Sequence, residues 1–268
     1  MERHRSRCPL PYMKIIVAIK QVPLRDSQFR INASGQWIEE SDLNFEINEP
    51  DAYALEEALQ LREKHGGEVI ALCAGPERAQ QTIRDALAKG ADRAIHIEAG
   101  NLHDLDTLGV AQLLAAAARP EQPDLILTGL QSDDLGSGQT GVVLAELLGI
   151  PHSTIIMHTE VRGDAIRVKR ELEDGWFQHI EMPLPAVLTI QSGSNKLRYA
   201  TLMGIKKSKT KEVKRLQPAE LGAAAPLSAK IEKLYAPFKT KQTQLFDGDP
   251  KTAAARLVEK LKFEARVI

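Results

Sequence analysis

The 268 residues carry 35 Lys and Arg against 36 Asp and Glu, a formal net charge of -1, and 43% of them are apolar. This composition allows a sizeable core, excludes disorder throughout, and gives no general reason to expect nucleic-acid binding, although a neutral total can conceal a local patch. Two cysteines, Cys8 and Cys73, without a CxxC spacing exclude a disulfide framework or a zinc ribbon and fit a reducing, cytoplasmic compartment.

Residues 1–12 read as an upstream tail: Arg3, Arg5 and Arg7 make it basic, Pro9 and Pro11 interrupt it, and Met13 opens directly into a strand. No apolar run reaches the roughly 18 residues that a membrane-spanning helix needs, so no membrane insertion is expected. Residues 14–22 (KIIVAIKQV) form a β-branched apolar run that predicts one buried strand ending near Pro23. Phe29 and Ile31 alternate before Asn32, Ser34 and Gly35, with Trp37 and Ile38 beyond, which predicts a short hairpin. Asn48 stands as the cap of a helix, Asp51 follows as a capping-box acid, and Leu55, Ala58, Leu59 and Leu61 line one side. Glu56 and Glu57 on that helix read as surface charge.

Gly66 and Gly67 stop the helix before a strand at 68–74 (EVIALCA). A helix over 77–89 carries Ala79, Ile83, Ala86 and Leu87 on its apolar side and stops at Gly90. A short strand at 94–97, a helix at 107–118, a strand at 124–128 and a helix at 139–148 follow. This order predicts an α/β fold: an open, mostly parallel, Rossmann-like sheet with helices on both faces. Its right-handed crossovers gather the strand ends at one edge, where such sheets bind ligands. The second half changes character, with 166–168 and 178–182 pairing around Asp174 and Gly175 before an apolar strand at 186–190. Beyond Pro218 no second full hydrophobic domain is visible. A terminal helix at 253–261 places Ala254, Leu257, Val258 and Leu261 on one face, and the residues leave open whether it packs on its own core or clasps another subunit. The chain thus divides into a tail at 1–12, an α/β domain at 13–216 and an extension at 217–268.

The loop at 129–141 (GLQSDDLGSGQTG) is the first candidate for binding chemistry. Gly136 and Gly138 open backbone conformations closed to most residues. Amides near Gly138, Gln139 and Thr140 can face a phosphate at the start of the following helix, and the Thr140 hydroxyl adds a donor. The loop is neither a Walker A nor a GxGxxG pattern, and an ordinary strand-to-helix turn capped by Asp133 or Asp134 is the plain alternative. Gly75 ends a second strand and leaves room for an adenine or ribose, whereas Cys73 also reads as a buried apolar residue, with no sequence-local His to activate it. The seven histidines show no metal spacing, and no catalytic constellation is visible, which favours a carrier or binding protein over a hydrolase. Residues 196–211 (KLRYATLMGIKKSKTK) admit three readings: a solvated face, a dock for an acidic protein, or a phosphate-backbone patch. The lack of interleaved aromatics favours the protein dock over nucleic acid.

In chain order, VAIKQV (17–22), NEPDAYALEEAL (48–59), CAGP (73–76), GADRAIHI (90–97), QSDDLGSGQTG (131–141), RELEDG (170–175), PLPAVLT (183–189) and LRYATLMGIKK (197–207) resemble the beta subunit of electron transfer flavoproteins. The resemblance runs from Met13 to about Leu216 and more loosely to the end. It implies a heterodimer whose alpha subunit holds the redox-active FAD, accepts electrons from acyl-CoA or other flavin dehydrogenases, and passes them to a membrane-associated quinone oxidoreductase. The beta subunit binds AMP structurally, has no catalytic side chains of its own, and lays its C-terminal extension on alpha. In NADH-dependent, electron-bifurcating relatives a second FAD occupies the AMP site. A non-redox nucleotide-binding module is the third reading. Carried onto this sequence, the resemblance places Ala18 and Lys20 at the adenosine end, with Asn48, Asp51, Cys73 and Gly75 nearby. It gives ribose and phosphate to Gln131, Asp134, Gly138, Gln139 and Thr140, and turns Arg25 and Pro50 toward the alpha-bound flavin. Two departures stand out: Gly138 replaces an Asn donor, and Ser194 replaces the apolar docking anchor while Leu197 takes a position often held by Pro. Partner docking is therefore expected around Ser194, Leu197, Lys206 and Lys207.

Overall fold

The computed structural model describes residues 12–100, 105–222, 229–237 and 243–268; the expected tail, apart from Tyr12, lies outside them. Strand β1 (Met13–Ala18) sends Ile15 and Val17 into one buried cluster and Ile16 and Ala18 into another, as a period of two requires of a strand covered on both faces. The same double burial holds for β4 (Gly67–Gly75), β6 (Leu125–Gly129) and β10 (Ala186–Ile190). With β5 (Arg93–Glu98), β7 (His152–Arg162), β8 (Ala165–Glu171), β9 (Phe177–Pro183) and β11 (Val213–Leu216), they form a sheet in the order β11-β5-β4-β1-β6-β10-β7-β8-β9. Pairing is parallel from β11 to β7 and antiparallel in the β7-β8-β9 meander, where Ile166 meets Met182 and Val168 meets Ile180 as the sequence pattern predicts.

Helices cover both faces. On one, α1 (Glu49–His65) and α2 (Gln80–Lys89) bury Leu55, Ala58, Leu59, Ile83, Ala86 and Leu87 against Ile15, Val17, Ala71 and Leu127. On the other, α3 (Thr107–Ala118) and α4 (Thr140–Leu148) bury Leu113, Leu114, Leu144 and Ala145 against Ile16, Ile70, Leu72 and Ile126. The chain steps outward from β1 to β4 and β5, then returns through α3 to place β6 on the other side of β1. That reversal opens a crevice beyond the carboxyl ends of β1 and β6, the position where open α/β sheets bind ligands.

The expected single strand at 14–22 breaks in two. After Ala18 the chain leaves the sheet, and β2 (Gln21–Pro23) pairs antiparallel with β3 (Phe45–Ile47). The cause is α1: the Lys20 amide donates to the Asp51 carboxylate at 2.7 Å, and the Lys20 carbonyl accepts from the Asn48 amide at 2.9 Å. The predicted hairpin reduces to one bridge between Ile31 and Ile38, with the Asn32 amide on the Trp37 carbonyl at 2.8 Å. The sequence pattern gives no warning of β7, whose alternation is broken by a register shift and by Ile155 at φ 59°, or of β11, which lies inside the basic run. β11 is an edge strand, and its exposed Lys214 and Arg215 are the kind of charge that keeps an edge from pairing with another chain.

Two compact units divide the chain, one ending at Leu234 and one spanning Tyr235–Ile268. The second holds α6 (Pro250–Phe263), capped by the Asp249 carboxylate, which accepts from the Lys251 and Thr252 amides at 3.0 and 3.1 Å. No residue of α6 is buried, and Leu257 and Val258 of its predicted apolar face are exposed. Among the described residues no helix is long and apolar enough to cross a membrane.

The fully buried Leu59 joins α1 to the sheet. Leu59→Ala is expected to lower the unfolding free energy by about 2–5 kcal/mol, read by urea denaturation, because the helix cannot collapse onto the cavity without shifting its first turn.

Candidate functional site

The crevice is built from the first turn of α1. Asp51, 6% exposed, spans the two diverging strands: one carboxylate oxygen accepts from the Lys20 amide beyond β1 at 2.7 Å, the other from the Gly129 amide at the end of β6 at 2.9 Å. Asn48 reaches the loop after β6, donating through Nδ2 to the Gln131 carbonyl at 3.0 Å and accepting through Oδ1 from the Asp133 amide at 2.9 Å. The capping roles expected of these two residues are therefore corrected. Asn48 makes no side-chain cap on its own helix, and Asp133 supplies one from across the crevice, accepting from the Glu49 amide at 3.3 Å. Gly129 permits this approach, since a β-carbon there would lie 2.6 Å from Cβ of Pro50. Burial pushes the Asp51 carboxyl up to about 7, against the lowering effect of hydrogen bonds from Lys20, Asn48 and Gly129.

The loop then turns through Gly136 and Gly138, both left-handed at φ 63° and 64°, which a side chain would strain. Thr140 opens α4, and Gln139 before it makes no side-chain cap, so the first-turn amides and the Thr140 hydroxyl are the donors that this helix end offers to an anion. Asp133 and Asp134 do not cap α4. Asp133 serves α1, while Asp134 accepts from Lys20 Nζ at 2.6 Å and from the Leu135 amide at 2.7 Å. Lys20 also reaches Ser132 Oγ at 3.3 Å. Arg25 stands exposed at the rim, 2.5 Å from Glu49 and 3.5 Å from Asp133.

Ala18 at the end of β1 and Cys73 near the end of β4 send their side chains into the two core clusters, so each meets the crevice through its backbone alone. Burial, with the Asp51 charge adding to it, pushes the Cys73 thiol up to about 12, which removes the thiolate needed of a nucleophile at neutral pH. Gly75 packs against Ala79, whose Cβ would lie 3.0 Å from an added β-carbon, and its carbonyl bonds His96 Nε2 at 3.1 Å. Lys20, Asn48, Asp51, Gln131 and Asp134 thus form one hydrogen-bonded cluster, and Gly138, Gln139 and Thr140 continue its loop into α4.

The expected docking residues gather elsewhere, along α1 and α2. Leu197 is half-buried, the buried Ser194 hydroxyl has no hydrogen-bond partner among the described residues, and Lys206 and Lys207 are exposed in the last turn of α5 (Leu202–Ser208). Sequence reasoning passed over the most prominent apolar groups here, Tyr199 at 94% and Leu202 at 88% exposure. Lys211 of the basic run turns inward and caps α2, donating to the Leu87 and Ala91 carbonyls at 3.0 and 2.5 Å. Glu56 and Glu57, read from sequence as surface charge, are instead buried.

The family model described as electron transfer flavoprotein domain matches residues 36–221. The chain is similar to the electron transfer flavoprotein subunit beta of Methylophilus methylotrophus, 35% identical over 257 residues that cover 92% of this chain and 97% of that one. It is 36% identical over 261 residues to the subunit of the same name from Bacillus subtilis (strain 168), covering 96% and 100%. The Homo sapiens subunit is 37% identical over 213 residues, covering 78% and 83%. This chain belongs to the electron transfer flavoprotein beta-subunit family. The family match spans α1, the loop after β6 and residues 191–208, while the β1 side of the crevice, with Ala18, Lys20 and Arg25, lies before the matched residues.

Replacing Asp51 tests the crevice. Asp51→Asn sets an amide donor against one of two backbone donors, an expected loss of about 1–3 kcal/mol. The folded carboxyl value is raised above the unfolded one, so its contribution is fully present below the ordinary carboxylate range and is lost as pH rises through about 7. The stability advantage of the native residue over Asn is therefore larger at pH 5 than at pH 8, measured by denaturation at both.

Proposed function

We propose that this chain is the nucleotide-bearing subunit of a heterodimeric electron carrier, binding AMP in the crevice between β1 and β6. Family membership and the uncapped amino end of α4, held open by two left-handed glycines, support this reading. The donors suit a phosphate-bearing adenine nucleotide: backbone amides and the Thr140 hydroxyl for phosphate, and the polar cluster of Lys20, Gln131 and Asp134 for ribose. Asn48 and Asp51 act on this ligand indirectly, by fixing the loop that meets it.

The partner is an alpha subunit holding FAD, a cofactor able to take up electrons from a dehydrogenase and release them toward a quinone oxidoreductase. This chain contributes Arg25 on the rim, its guanidinium held by Glu49 and Asp133 where a negative charge on a neighbouring flavin would feel it, whereas Pro50, expected beside it, is buried close to Gly129. The exposed Leu257 and Val258 of α6 fit the clasp on the alpha subunit. Dehydrogenases dock on Leu197, Tyr199 and Leu202, rimmed by Lys206 and Lys207, whose charge steers an acidic surface into place. A second FAD in the crevice is the competing reading. It is favoured by the open space at Gly136 and Gly138, where an added β-carbon would meet nothing closer than 3.9 and 3.8 Å, room that a pyrophosphate can use.

Nucleotides released from the purified heterodimer decide between these readings: one FAD with one AMP is the expected result, and two FAD without AMP makes the crevice a second flavin site. For docking, Leu197→Ala or Leu202→Ala is expected to raise KM for a cognate dehydrogenase about tenfold with nucleotide content intact, since each removes apolar contact area. Unchanged transfer kinetics in both variants count against this surface.

A further inference from the structure

Glu56 and Glu57 are adjacent carboxylates in the middle of α1 with 4% and 9% exposure. A buried charge is tolerated only when it is paired and hydrogen-bonded, and apart from Gln60 on the same helix the partners here come from distant sequence. Glu56 takes Arg198 in two prongs, Nε on Oε2 at 2.7 Å and Nη2 on Oε1 at 3.0 Å, while Gln60 adds a bond at 2.8 Å. Glu63, two turns along the same helix, closes the outer edge of that guanidinium with contacts from Nη1 at 2.6 Å and Nη2 at 3.2 Å. Glu57 accepts from Asn195 Nδ2 at 3.2 Å and from Thr159 Oγ1 of β7 at 2.5 Å, and the same Asn195 amide bonds the Tyr53 carbonyl at 3.1 Å.

Residues 192–200 contain no helix or strand, so ladder hydrogen bonds do not fix their path. Asn195 and Arg198 are its fastenings, and both are tied to α1. Leu197 and Tyr199 flank Arg198, and Tyr199 points into solvent.

We propose that Glu56, Glu57 and Glu63 are positioning residues for partner docking, holding Asn195 and Arg198 so that Leu197 and Tyr199 are presented in one conformation. This rests on the docking role given above to the same segment. A loop ordered before encounter does not lose that freedom on binding, so the clamp acts on affinity for the partner and leaves electron transfer within the bound complex unaltered. The planar guanidinium fork matters, because a lysine at the same place carries the charge without the two-pronged geometry.

The test uses Arg198→Lys and Glu56→Gln in the assembled heterodimer, with hydrogen exchange of the 195–199 amides and steady-state kinetics with a cognate dehydrogenase. The expected result is about tenfold faster exchange in this segment and a KM raised by about the same factor, with kcat and nucleotide content unchanged. Arg198→Lys alters a partly exposed side chain and carries the test by itself if Glu56→Gln does not fold. Unchanged exchange and KM in Arg198→Lys, alongside a raised KM in Leu202→Ala, overturn this inference and leave the docking surface standing. Faster exchange with KM unchanged in Arg198→Lys and in Leu202→Ala overturns the docking reading and the positioning role with it.

Discussion

One buried carboxylate holds the crevice together. Parallel strands β1 and β6 are neighbours in the sheet, but their shared ladder ends at Val17 and Leu127, and the amides of Lys20 and Gly129 donate to Asp51 instead. Asp51 supplies an acceptor for each, one oxygen apiece, and so fixes the separation of the two chain segments where they diverge. A buried backbone donor left without an acceptor is costly, so the carboxylate is held in place although burial itself disfavours its charge. The raised ionisation follows from this conflict between burial and hydrogen bonding.

The same helix organises the second surface. α1 presents Leu55, Ala58 and Leu59 to the core, Asn48 and Asp51 to the end of β6 and the loop after it, and Glu56, Glu57 and Glu63 to the segment before α5. A helix used on three sides has no wide solvent face, and its charged residues are then structural ties. The basic run divides in a comparable way: Lys206 and Lys207 face solvent, Lys211 caps α2, and Lys214 and Arg215 guard an edge strand. Charge that looks continuous along the chain does three separate jobs once the chain is folded.

The central fold was legible because its signals are local. Apolar runs at β1, β4, β6 and β10, glycines after α1 and α2, and the apolar stripes of the helices all report burial on the scale of a few residues. The left-handed turns at Gly136 and Gly138 were legible for the same reason, since a missing side chain is a property of one position. β7 and β11 were not, because a strand with a register shift and a four-residue charged edge strand carry no clean period of two.

The sequence by itself determined the α/β order, the family markers, the two core faces and the place of the glycine-containing loop before α4. Tertiary structure alone decided what Asn48, Asp51, Glu56 and Glu57 do. As isolated helix residues they are caps and surface charge, and the partners that redefine them lie far along the chain, 78 residues away for the Gly129 amide and 142 for the Arg198 guanidinium. Local pattern encodes whether a side chain is apolar and how often; it does not encode which distant donor a carboxylate will meet, because that depends on sheet order and crossover direction.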